Sequence, residues 1–243
     1  MLQTRVIIIL LIVLNIFHET TAYIFDVNYS YKYSTKKTVY SSVFLQQNKK
    51  DFRFLAGAPK TDNILICNTT VCKSFAFSSQ NEAGFEMLGA AIAAGNTVGD
   101  PTYICAPHYI VLPSFRINGR CFALHENFKP IYSLDNRLQQ VKAYNGSYEF
   151  YYAQGQVGFS AKYVEDNEFL LGAPGVLSWK GTVIKHTDLN IKNILQPEKV
   201  AEKNSYLGYA IEFGEYYFGG RKRRCAIGGA PRGDNLLGQV SLI

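Results

Sequence analysis

Beyond residue 22 the apolar positions fall in short runs separated by Gly, Pro, Asn, Asp and Ser, the spacing of short strands joined by tight turns. Strands are predicted at 52–55, 103–105, 168–171 and 225–227. Each is followed by an Ala-Pro turn, and further strands are expected at 64–67, 181–184 and 238–243. Proline lacks an N–H and ends a hydrogen-bond ladder, so each Ala-Pro marks a strand terminus.

The runs repeat. Leu55-Ala56-Gly57-Ala58-Pro59, Ile104-Cys105-Ala106-Pro107, Leu170-Leu171-Gly172-Ala173-Pro174 and Ile227-Gly228-Gly229-Ala230-Pro231 share one form. Each follows a second recurrent element: Tyr40-Ser41-Ser42-Val43-Phe44, Leu88-Gly89-Ala90-Ala91-Ile92, Val157-Gly158-Phe159-Ser160-Ala161 and Leu207-Gly208-Tyr209-Ala210-Ile211. Four ordered pairs in units of roughly 50–60 residues, with about four strands each, have the spacing of propeller blades. The predicted units are 23–72, 73–130, 131–190 and 191–243.

The first 22 residues stand apart. Arg5, the apolar run from Val6 to Leu14 and the small residues Thr20-Thr21-Ala22 read as an export signal at 1–22, too short for the ~20 residues of a membrane span. Export places the cysteines in an oxidising compartment, where close pairs become bridges. Cys67 with Cys72, and Cys105 with Cys121, would contribute about 2 and about 3 kcal/mol by loop closure, leaving Cys225 over. Zinc would need histidines at ligand spacing, and His108, His125 and His186 are scattered. Asn28, Asn68 and Asn145 head sequons for glycosylation. Aromatics at 14% with only 2 Met favour strands over helix bundles, and a net charge of +6 is a mild excess.

These residues resemble the FG-GAP repeats of the β-propeller at the N-terminus of integrin α subunits. The likeness rests on Phe25-Asp26-Val27, the four element pairs, Cys105-Ala106-Pro107-His108-Tyr109 closing on Cys121, Trp179-Lys180-Gly181 and Ser205-Tyr206-Leu207-Gly208-Tyr209. It implies an all-β, incomplete β-propeller of about four FG-GAP blades, truncated because the family's propellers have seven. It also implies that the cysteine pairs match the first two bridges of the family. The resemblance further implies an adhesion-receptor head that pairs with an integrin β subunit and helps bind an extracellular matrix or cell-surface ligand. Phe85, Trp179 and Tyr206 would be partner-contacting residues at the cell surface. The alternative is a secreted propeller fragment that binds matrix or glycans without a β partner.

The chain departs from the family in two places. No cysteine lies where a third-blade bridge would form. Calcium-binding blades carry an acidic loop between the two elements, whereas the fourth unit reads Gly214 to Arg224 with Arg221-Lys222-Arg223-Arg224, so no metal or other cofactor is expected. The basic run reads as a solvated loop tip between two strands, with a processing site or a polyanion contact as alternatives. Arg232-Gly233-Asp234 follows an Ala-Pro and reads as turn chemistry rather than a ligand motif. No nucleophile elbow, zinc-protease motif or phosphate loop is present, so neither an enzyme, a small-molecule substrate nor nucleic acid is expected.

Overall fold

The computed structural model describes residues 22–25, 30–33, 39–48, 51–61, 63–68, 71–76, 86–95, 100–111, 116–124, 130–133, 141–144, 147–150, 154–165, 168–187, 190–195 and 203–243. Phe85, Asn28 and Asn145, and residues 1–21 of the export signal, lie outside them.

The regular secondary structure of the described residues is almost wholly strand. A hairpin, β1 (Ala22–Phe25) with β2 (Ser30–Tyr33), precedes the first sheet. That sheet runs in sequence order, β3 (Ser41–Asn48), β4 (Asp51–Ala58), β5 (Asn63–Cys67) and β6 (Cys72–Ala76). The second has the order β7 (Ala91–Ala94), β8 (Thr102–Ala106), β11 (Arg120–Leu124) and β12 (Pro130–Ser133), with a small hairpin of β9 (Ile110–Val111) and β10 (Arg116–Ile117) inserted after β8. A further hairpin, β13 (Val141–Tyr144) and β14 (Ser147–Phe150), leads to the third sheet, β15 (Ala161–Tyr163), β16 (Glu168–Ala173), β17 (Thr182–Thr187) and β18 (Asn190–Leu195). The fourth holds β19 (Ala210–Phe218), β20 (Arg221–Ala230) and β21 (Gln239–Leu242). All pairings within the sheets are antiparallel.

The first strands of the sheets form the spine of the stack. β7 touches β3 and β4 of the sheet before it and β15 of the sheet after it, and β15 in turn meets β19. Hydrophobic cores therefore lie between sheets. Leu55 and Ile64 meet Leu88, Ile104 and Ala106 in the first gap. Tyr103, Cys105 and Cys121 meet Val157, Phe169, Leu171 and Ile184 in the second. Val164, Leu170 and Val183 meet Ala226, Ile211 and Phe213 in the third. A strand in such a stack is covered on both faces, which is why β8 reads Thr-Tyr-Ile-Cys-Ala with every residue buried. The result is the bladed, incomplete propeller expected from the repeats.

Small residues set the spacing of the blades. A Cβ built on Gly57 would overlap the carbonyl of Gly89, and one on Gly172 would overlap the carbonyl of Gly208. Beside each glycine a serine caps the contact: Ser41 Oγ donates to Gly89 O at 2.7 Å and Ser160 Oγ to Gly208 O at 2.8 Å. The pairing register also corrects the alignment of the first unit. Ser41 sits opposite Gly57 as Ala91 sits opposite Cys105 and Ala210 opposite Gly229. Val39, not Ser41, therefore stands where Gly89, Gly158 and Gly208 stand in the other units. Those three glycines have φ of 83°, 85° and 88°, which a β-branched valine could not adopt without strain.

The cysteines join as two bridges, Cys67–Cys72 across the β5–β6 hairpin and Cys105–Cys121 between β8 and β11. The second is fully buried and faces the following blade, where Gly158 leaves room for its sulfurs. Reducing it should cost about 3 kcal/mol. The Cys105→Ala/Cys121→Ala double variant is expected to melt about 6–12 °C lower, a drop that scanning calorimetry would read directly. An unchanged melting temperature would show that the bridge contributes nothing there. Among the described residues no helix is long and apolar enough to cross a membrane.

Candidate functional site

Because the second strand of every sheet runs out into Ala-Pro or Cys-Ala-Pro, the loops that follow gather at one end of the stack and bond to one another. His108 N–H donates to Glu86 O, Val157 N–H to Asn118 O, Gly175 N–H to Gly155 O, Tyr206 N–H to Trp179 O, and Arg232 N–H to Ser205 O. Two parallel bridges, Gly119 with Val157 and Gly181 with Leu207, lock the second blade to the third and the third to the fourth. Both glycines have positive φ and approach the next backbone where a Cβ would collide.

Trp179 and Tyr206 meet on this end. Trp179 closes the short helical turn Val176–Trp179, and Tyr206 opens the fourth unit. Their φ values are 65° and 61°, a left-handed conformation that costs an aromatic residue free energy and is held by the hydrogen bond between their backbones. The rings pack edge to face at 5.3 Å and both remain half-buried. Arg232 joins them, donating from Nη1 to Tyr206 Oη at 3.0 Å with its guanidinium 5.1 Å from the ring. The arginine of Arg-Gly-Asp is thus turned onto Tyr206, and Gly233 is buried. Asp234 and Asn235 adopt left-handed turns, so the tripeptide is folded into the loop rather than displayed in extended form. Exposed Lys180, Lys203 and Arg232 make this corner positive.

Of the other sequence-derived sites, Asn68 is exposed within the Cys67–Cys72 turn, where its Oδ1 accepts from Val71 N–H. Cys225 is the free cysteine, half-buried in β20. No cluster of three or more metal-ligating side chains occurs among the described residues.

The segment from Gly214 to Arg224 corrects the reading of its basic run as a loop tip. It is strand throughout, turning only at Gly219-Gly220, whose φ values of 56° and 75° match the two-residue hairpin turn. Tyr216, Tyr217 and Phe218 supply the β-propensity, and the glycine pair supplies the turn. Its one acid, Glu215, is already engaged with Lys222, and Glu212, two residues before the segment, with Lys162. Lys162 holds the Glu212 carboxyl below its usual range, against the opposing effect of its partial burial. Arg221 to Arg224 pair in register with Phe218, Tyr217, Tyr216 and Glu215, so a processing protease would have to peel a strand from its ladder.

Sequence reasoning missed His186. It lies fully buried in β17 between the second and third blades, with Nδ1 2.8 Å from the Tyr103 hydroxyl. Tyr103 itself stacks on Phe169 at 3.7 Å. Burial disfavours the charged imidazolium and pushes its pKa down to about 4. The available signal was the period-2 alternation of Thr182, Ile184 and His186, which puts the ring on the same face as a core isoleucine.

The stacked sheets, glycine-locked gaps and shared loop end define an incomplete, bladed propeller region. By sequence the chain is similar to integrin α subunits. It is 25% identical to integrin alpha-PS3 of Drosophila melanogaster over 213 residues, 68% of this chain and 19% of that protein. It is 30% identical to integrin alpha pat-2 of Caenorhabditis elegans over 173 residues, 66% and 13% of the two. The value is 34% for human integrin alpha-8 over 103 residues, 36% and 10% of the two. The matched region is thus less than a fifth of the length of these curated relatives. No family model matches. Among solved structures, BBS1N in complex with ARL6DN aligns at a TM-score of 0.49 and 11% identity, covering 88% of this chain and 58% of that one.

Proposed function

We propose that the chain forms part of the head of an integrin-α-like adhesion receptor, works by surface contact rather than catalysis, and docks an integrin β subunit with its loop end. The observation that carries this reading is the Trp179–Tyr206–Arg232 cluster. Two half-buried aromatics fixed in left-handed conformations beside an arginine have the composition of an interface anchor, and their order limits the entropy lost on docking. The similarity to integrin α subunits supports the choice of partner. Phe85 is assigned to the same contact from the family resemblance.

The test is co-expression of the full chain with a β subunit of the same species, followed by capture of the β subunit. Trp179→Ala and Tyr206→Ala are expected to reduce co-capture at least ten-fold, the scale of an interfacial aromatic anchor. Tyr217→Ala, on the β19–β20 hairpin, should leave it unchanged. Equal capture by all three variants, or release of the chain into the medium free of β subunit, would overturn the proposal.

A further inference from the structure

We propose that one face of the β19–β20 hairpin, carrying Tyr216, Phe218, Arg221 and Arg223, binds a sulfated polysaccharide. This inference does not depend on the β-subunit reading. It begins with the way the ladder sorts four consecutive cations. In an antiparallel pair, alternate residues share a face, and the register places Tyr217 opposite Lys222 and Glu215 opposite Arg224 on one side. That side is electrically closed. Lys222 pairs with Glu215, and Arg224 donates to Glu165 of the third unit at 2.6 Å while lying 5.2 Å from the Phe213 ring.

The other side is open. Phe218 stands opposite Arg221 and Tyr216 opposite Arg223, with both arginines exposed. Neither makes an ion pair with a described residue. The Tyr216 and Phe218 rings lie 6.2 Å apart along the strand. Two guanidinium groups two residues apart are spaced by about 6.8 Å of backbone, so they present a row of charge rather than a single point. Guanidinium offers paired donors to a tetrahedral oxyanion, and flanking aromatic faces suit the apolar face of a sugar ring.

The hairpin is also preorganised. Nine paired positions and a glycine turn hold the row in place, so a ligand orders only the arginine side chains. The choice of polyanion follows from compartment. Two disulfides belong to an oxidising environment, where nucleic acids and inner-leaflet lipids are absent and sulfated glycans supply linear negative charge. The net charge of +6 favours encounter with such a chain.

Immobilised heparin is the probe, used with the full chain at physiological ionic strength. The Arg221→Ser/Arg223→Ser double variant is expected to bind at least ten-fold more weakly and with a shallower dependence on salt. The Lys222→Ser/Arg224→Ser variant removes the same formal charge and should stay within about three-fold of the unaltered chain. Circular dichroism of each variant checks that the hairpin is intact. An unsulfated polysaccharide with carboxylates alone, and vesicles of phosphatidylcholine with phosphatidylserine, form the comparison arms, and neither should compete with heparin. Equal losses in the two double variants would reduce the effect to unspecific charge and overturn the proposal. So would undiminished binding by the Arg221/Arg223 variant, or tighter binding to the vesicles than to heparin.

Discussion

Gly172→Ala should destabilise the chain by about 3 kcal/mol or more and lower its melting temperature by about 6–12 °C, whereas Gly229→Ala, the same position one unit later, should change stability by less than about 0.5 kcal/mol. The two glycines share a repeat position but not a neighbourhood. A Cβ on Gly172 would overlap the Gly208 carbonyl and the Ser160 hydroxyl, so the third and fourth blades would have to separate. Separation breaks the 2.8 Å bond from Ser160 and loosens the core around Leu170, Val183 and Ala226. Around Gly229 the nearest atom is the Ala210 Cβ at 3.6 Å, an ordinary contact. Calorimetry of both variants decides the matter. Equal effects would mean that glycine acts here through backbone entropy alone and that close packing of the blades is not what the repeat encodes.

A second large effect concerns acid. His186 is neutral in the folded chain, with its pKa at about 4, against an ordinary value of 6.5. Above pH 6.5 neither state binds the proton and stability is flat with respect to this group. As the pH falls below 6.5 the unfolded chain takes up a proton that the buried ring refuses, so stability declines until about pH 4. At 1.36 kcal/mol per unit of pKa difference the loss reaches about 3 kcal/mol. His186→Gln removes the titration while leaving a polar group near the Tyr103 hydroxyl. The difference in unfolding free energy between the two chains should therefore narrow between pH 6.5 and 4. A constant gap across that range would show that the imidazole accepts a proton without opening the second core.

Much of the architecture was readable because it is written in backbone requirements. Gly-Ala-Pro fixes a close approach and a strand end in three residues, and its three copies together with Cys105-Ala106-Pro107 show four blades without any knowledge of the side-chain cores. The first unit was harder to place. Val39 replaces the glycine, and the neighbouring serines drew the alignment two residues too far along. The Gly214–Arg224 segment was obscured by its charge: four cations suggested a solvated loop, while the tyrosines and the Gly219-Gly220 turn were the stronger local signal. The candidate site was legible only in part. Trp179 and Tyr206 stood out as aromatics in repeat loops, but their contact joins residues from different units, as does the turning of Arg232 onto Tyr206. Nothing local in sequence marks His186 as facing Tyr103 across a gap between sheets, since that depends on how two blades stack.

The serine bonds between blades also set a timetable. Ser41 reaches forward to Gly89, and Ser160 to Gly208, each across 48 residues of chain. A ribosome adding about 5–20 residues per second makes the acceptor about 2–10 s after the donor. During that interval the earlier blade presents an unfilled glycine notch and an uncovered face to solvent. Assembly is therefore vectorial: each blade is completed by the one translated after it. A pause in synthesis just after one of the four Ala-Pro turns would hold the nascent chain at its stickiest, which makes those four points the places where a chaperone has most to do.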